Sequence, residues 1–206
     1  RAWCTLSPMD FVALSSSRGT TFQAVLDRRA DGSLGARCLG LVTDRADRGC
    51  AEKARAADVP VTVVERREHE TRETYDERLS RAVLSLGGDP LVAAMGWMTI
   101  LSPAFVRRHR VINVHPALLP QHGGKGMDGH RVHAAVLESG DAETGITLHL
   151  MDEGVDTGPV LLQKRCPVLP GDTVETLKER VQSLEREWYP RLLEMLRTGE
   201  VALPRG

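Results

Sequence analysis

No sign of charge dominates this chain: 27 lysines and arginines stand against 28 aspartates and glutamates, a net charge of -1 over 206 residues. A near-neutral surface lacks the field that gathers nucleic acid or an acidic membrane, so neither is an expected partner and a small substrate is. No run approaches the ~18 consecutive apolar residues of a membrane span, and the first residues lack the charged and apolar regions of a signal peptide. The four cysteines, Cys4, Cys38, Cys50 and Cys166, form no CxxC pair, which points away from a zinc site and from a stapled secreted scaffold. Reduced thiols in a cytoplasmic protein are the expectation. His122, His130, His133 and His149 do not have the spacing of a zinc motif, and no metal is expected. Internal repeats, low-complexity linkers, GxGxxG and Walker loops are also missing.

What is present is a 41% hydrophobic composition, enough to build one core. One domain over residues 9–206 is expected, with "RAWCTLSP" at 1–8 read as an N-terminal extension because it has no periodicity. Strand-length apolar runs alternate with helical patterns: "DFVALSS", "TTFQAVLDRRAD", "ARCLGLVT", "CAEKARAADV", "PVTVVE". This βα rhythm predicts a doubly wound α/β fold with a mostly parallel sheet. A helix from about Glu70 to Leu86 carries Tyr75, Leu79, Ala82, Val83 and Leu86 on one stripe, and strand "LVAAMG" follows. Then come a short helix at 103–108, strand "VINV", a glycine-rich loop, and a helix from about His130 to Glu138. "TGITLHLMD" and "GPVLLQKRCPV" lie too close for a helical crossover and are expected to pair antiparallel at the sheet edge. Asp172 and Glu175 have capping-box spacing at the start of a last helix, which runs to about Arg197 with Val174, Leu177, Val181, Leu184 and Trp188 inward.

Ligands of open α/β sheets bind beyond the carboxyl ends of the strands, and three features fall there. In "SSSRGTT", Gly19 allows a sharp turn and the N–H groups of Thr20 and Thr21 begin a helix, a place for a phosphate. The plain alternative is a helix cap by Thr20 or Thr21. In "VINVHP", alternation puts Asn113 and His115 on one face of a strand that Pro116 ends, offering an amide donor and an imidazole. The alternative is a pair of satisfied strand-end polar groups. In "MDEGVDTGP", Asp156 lies in a turn from which a carboxylate reaches His115, or else is simply solvated.

Together these features resemble the formyltransferases that use 10-formyltetrahydrofolate, and in particular the branch of purine synthesis that formylates glycinamide ribonucleotide. The resemblance runs from about Asp10 to Leu196 and rests on "SSRGTTFQAVLD", "AAMGWMTILSPAFV", "INVHPALLP", "MDEGVDTGPVLLQ" and "RVQSLEREWYP". It implies catalytic roles for Asn113, His115 and Asp156. It implies that Gly19, Thr20 and Thr21 hold the substrate's phosphate, with Gln182 and Glu185, one helical turn apart, at its ribose and glycinamide end. Met98, Ile100, Leu101 and the backbone of Asp152, Glu153, Gly154 and Val155 are implied as walls for the reduced folate, the reaction's cosubstrate. The resemblance leaves a homodimer open. The sequence departs from the family where Arg18 and Thr21 replace common asparagines, where Thr99 replaces a frequent arginine, and in the long loop "QHGGKGMDGHRVH".

Formyl transfer needs donors for an oxyanion and a carrier for one proton. Asn113 and His115 are expected to be the donors and Asp156 the carrier, with the glycine-rich loop a wall over the folate. The alternatives are a formyltetrahydrofolate hydrolase, another folate-dependent formyltransferase, or a binding module without catalysis. The expected lack of a tRNA-binding or regulatory domain argues for the first reading.

Overall fold

A computed structural model describes residues 9–204; the expected extension at 1–8 lies outside them. The chain alternates β1 (Asp10–Leu14), α1 (Thr20–Ala30), β2 (Arg37–Thr43), α2 (Gly49–Ala56), β3 (Val61–Val63), α3 (Arg72–Ser85), β4 (Leu91–Ala94), α4 (Pro103–Arg108) and β5 (Val111–His115). It ends with α5 (Gly129–Ser139), β6 (Glu143–Leu150), β7 (Val160–Pro167) and α6 (Val174–Thr198). The strands form one sheet in the order β3-β2-β1-β4-β5-β6-β7. Pairs from β3 through β5 are parallel, while β5–β6 and β6–β7 are antiparallel. The doubly wound fold is therefore as the βα rhythm predicts, and the antiparallel edge as the short link between the last two strand runs predicts.

Strand alternation divides the core between the two faces. Phe11 and Ala13 of β1 pack with Phe22 and Val25 of α1, Cys50 and Ala54 of α2, and Val181 and Tyr189 of α6. Val12 and Leu14 of the same strand pack with Tyr75, Leu79 and Val83 of α3 and Phe105 of α4. The Tyr189 hydroxyl donates to the carbonyls of Ala94 at 2.9 Å and Ile112 at 3.2 Å, which ties α6 to the middle of the sheet. Among the described residues, no helix is long and apolar enough to cross a membrane.

One helix start differs from expectation. The capping box of α6 belongs to Thr173 and Thr176, one residue beyond Asp172 and Glu175. Asp172 instead accepts the Leu169 N–H at 2.7 Å and pairs with Arg180 at 2.6 Å. These contacts, led by Arg180, hold its carboxyl below the usual range. An acid with a guanidinium in reach gains more from it than from a cap amide, and the threonine pair takes over the cap.

β1 neighbours β2 on one side and β4 on the other, so their following loops splay apart at the carboxyl end of the sheet. These loops are fastened together. The Ser16 N–H donates to the Gly96 carbonyl at 3.2 Å, and the Met98 N–H donates to Ser16 Oγ at 3.0 Å. Gly96 has φ 73, and a Cβ there would sit 2.7 Å from Ser17 Oγ, so only glycine fits.

Candidate active site

The crevice beyond these strand ends contains a cavity of about 290 Å³ lined by residues of nearly every segment with unassigned chemistry. A larger cavity, about 520 Å³, opens at the opposite end of the sheet around Asp89, Arg110 and Leu203. Among the described residues its lining has no nucleophile and no histidine, whereas the smaller cavity gathers His115, His133, Asp156 and Glu185.

β5 delivers Asn113 and His115 to that cavity, both on one face as their spacing of two requires. His115 is 4% exposed and both of its ring nitrogens are engaged. Nδ1 lies 3.3 Å from Asp156 Oδ2, and Nε2 lies 2.7 Å from the His122 carbonyl. A carbonyl only accepts, so Nε2 carries a hydrogen and Nδ1 is the nitrogen that faces the acid. Asp156 is held in the turn after β6 with φ 59, in the left-handed region, where a residue other than glycine persists only if its surroundings fix it. Its side chain is 11% exposed, which excludes the solvated alternative. Oδ2 also accepts the Gly124 N–H at 3.1 Å, while Oδ1 has His149 Nε2 at 3.7 Å, beyond hydrogen-bond reach. The Asn113 amide has no protein partner among the described residues and is half-buried at the cavity.

Met98, Ile100 and Leu101 line the same cavity, with Met98 and Ile100 exposed and Leu101 buried beneath them. Asp152, Gly154 and Val155 line it from the other side. Asp152 shapes this turn by accepting the Gly154 N–H at 3.0 Å and the Thr157 hydroxyl at 2.6 Å. Glu153 is not brought in. It turns outward to Arg107 at 2.5 Å, a guanidinium within reach being a better neighbour than an apolar wall.

Gln182 and Glu185 reach the cavity from α6, one helical turn apart. Desolvation by the surrounding protein pushes the Glu185 carboxyl up to about 7, against the smaller opposing effect of a hydrogen bond from the Thr21 hydroxyl. That bond, 3.3 Å long, connects the cavity to the start of α1, which lies just outside it. Gly19 is the N-cap residue of α1, with φ 76 and no side-chain cap. A Cβ on Gly19 would approach Cys50 Cα to 2.7 Å. The alternative of a threonine side-chain cap is thus excluded, and the N–H groups of Thr20 and Thr21 make no hydrogen bond among the described residues.

Sequence reasoning gave no role to four residues gathered here. His149 sits on β6 directly opposite Asn113; it is 1% exposed, and burial lowers its pKa. His133 of α5 lines the cavity and is pushed down to about 4, chiefly by burial. Lys178 also lines it and reaches His130 Nε2 at 3.3 Å. His122 supplies the carbonyl against His115. The period of two in "TLHL" is the signal that marks His149 as sharing a sheet face with Thr147; the other three depend on loop and helix placement.

A formyl transferase family model matches residues 9–193. The chain belongs to the formyl transferase family. Its sequence is 39% identical to the phosphoribosylglycinamide formyltransferase of Mycobacterium tuberculosis, covering 96% of this chain and 89% of that one. The enzyme of that name from Escherichia coli is 32% identical, covering 95% and 90%. The trifunctional purine biosynthetic protein adenosine-3 of Drosophila pseudoobscura is 37% identical over 90% of this chain. This formyl transferase spans only 14% of that much longer relative. Its fold matches the crystal structure of glycinamide ribonucleotide transformylase 1 from Symbiobacterium toebii with a TM-score of 0.89 at 30% identity, covering 99% of this chain and 94% of that one.

Proposed function

We propose that this formyl transferase moves the formyl group of 10-formyltetrahydrofolate to the amino group of glycinamide ribonucleotide, giving formylglycinamide ribonucleotide and tetrahydrofolate, a step of purine synthesis. The observation that carries the reading is the His115–Asp156 pair, 3.3 Å apart beside Asn113. It lies between an apolar wall suited to a pterin and a helix end suited to a phosphate. The relatives named above, two of them matching this chain over most of their own length, support the same substrate.

The amine attacks the formyl carbon, forming the new C–N bond and a tetrahedral centre with a negative oxygen. Collapse of that centre breaks the bond to the folate nitrogen, and one amine proton ends on that nitrogen. The Asn113 amide donates to the oxyanion, and protonated His115 does so through Nδ1, the ring nitrogen on the Asp156 side. Asp156 Oδ1, free of protein hydrogen bonds among the described residues, carries the proton from amine to folate directly or through one water. Glu185, ionised as pH passes about 7, faces the glycinamide end, and the free amides of Thr20 and Thr21 take the phosphate. Met98, Ile100, Leu101 and the Asp152 turn wall the pterin. The mechanism uses no metal. The reading places the enzyme in the cytoplasm.

Tetrahydrofolate formation, followed by absorbance with and without glycinamide ribonucleotide, tests this reading. Turnover that requires the ribonucleotide is expected. Turnover without it means a hydrolase, and binding of both substrates without turnover means a module that keeps the fold alone.

A further inference from the structure

The loop after β5 touches the reacting pair twice. The His122 carbonyl receives the Nε2–H of His115 at 2.7 Å, and the Gly124 N–H donates to Asp156 at 3.1 Å. His122 holds this position with φ 53, in the left-handed region, so contacts elsewhere must fix it. The contact is its own imidazole: His122 Nε2 lies 2.6 Å from Asp141 Oδ2, just beyond the end of α5. That bond is the largest cause holding the Asp141 carboxyl below its ordinary range. The path from the protein body to the catalytic imidazole therefore runs Asp141 carboxylate, His122 ring, His122 carbonyl, His115 Nε2.

We propose that His122 and Asp141 are positioning residues for His115, which keep the proton on Nε2 and turn Nδ1 toward Asp156 and the substrate. The inference rests on the formyl-transfer reading for its meaning in catalysis. A ring held at Nε2 by an acceptor has one neutral tautomer, so every proton that His115 gains or loses is on Nδ1. The other titratable groups near His115 are Asp156, His149 and His133. None of them bonds Nε2 among the described residues, so the His122 carbonyl sets that nitrogen's hydrogen. Once Asp141 no longer holds the His122 ring, the carbonyl is free to turn and the imidazole loses its fixed tautomer.

The test uses the full chain, with Asp141→Asn, His122→Phe and the double variant. Each single change is expected to lower kcat about tenfold with little change in either KM, the scale of a small misplacement of a catalytic group. The double variant should lose no more than either single one. His122→Gln, which retains a donor for Asp141, should recover most of the rate. In ring-labelled protein without substrate, at a pH high enough for the ring to be neutral, the nitrogen NMR signals of His115 should show hydrogen on Nε2 alone in the parent and a tautomer mixture in Asp141→Asn. An unchanged kcat, or a fall in melting temperature with the His115 signals unchanged, overturns the proposal. Because those signals are read without substrate, failure of the parent to transfer formyl would overturn the reaction and leave the tautomer test standing.

Discussion

The two ends of the active-site crevice are built from different materials. At the proposed reaction centre, titratable side chains face one another with little surface exposed: His115 at 4%, Asp156 at 11% and His149 at 1%. At the start of α1 the equipment is backbone, namely an uncapped helix end shaped by Gly19. Buried charges act strongly on the barrier because little solvent screens them, whereas N–H groups at a helix end bind an anion and leave the chemistry alone. The proposed enzyme therefore separates rate, set in the cavity, from affinity, set at the helix end just outside it.

Substitutions at the two ends should then fall into separate kinetic classes. The largest effect is expected from Asp156→Asn, which keeps size and removes charge. We expect kcat to drop by roughly a hundredfold or more, with modest change in either KM, read from steady-state rates. Asn113→Ala removes an oxyanion donor and should lower kcat on the order of a hundredfold. A rise in KM alone at either position would erase the distinction between the ends.

Thr20→Asp sharpens it from the other side. An acid at the exposed first residue of α1 interacts favourably with the helix end by about 0.3–1 kcal/mol, so the variant should melt slightly higher. The same charge repels a phosphate, and KM for the ribonucleotide should rise about tenfold while KM for the folate and kcat hold. Equal changes in both KM values would remove the phosphate from this end.

Glu185 stands between the two regions, and its substitution should change the rate least and show itself in the pH dependence of stability. Its folded carboxyl is raised to about 7 from an ordinary 4.5, so between those values the folded chain binds a proton that the unfolded chain has released. Stability is therefore lost as pH rises through that window. Glu185→Gln should match the parent in melting near pH 4.5 and exceed it by about 1–2 kcal/mol above pH 7. Its KM for the ribonucleotide should rise. A constant difference in melting across pH would mean that the carboxyl ionises normally.

Much of this arrangement was legible in the sequence because it follows from periodicity. The βα rhythm predicts the parallel sheet, the short link between the last two strand runs predicts its antiparallel edge, and a spacing of two predicts that Asn113 and His115 share a face. Asp156 was named from its turn, but its burial comes from Gly124 and His115 closing over it, contacts between segments far apart in the chain. The same kind of contact explains what was misread. Asp172 leaves the α6 cap because Arg180 comes within reach, and in the same way the Glu153 side chain turns from the cavity toward Arg107 of α4. His122 gave no local signal at all, since it is the backbone carbonyl that meets His115 and only the folded loop brings Asp141 to its ring.

The proposed mechanism depends most on His115 and Asp156 acting as one unit. Rates for His115→Ala, Asp156→Asn and the double variant, measured across pH 5 to 9, test this directly. Groups that act together are not additive, so the double variant should lose far less than the product of the two single losses. Fully multiplicative losses, or a near-parental rate for Asp156→Asn, would contradict it.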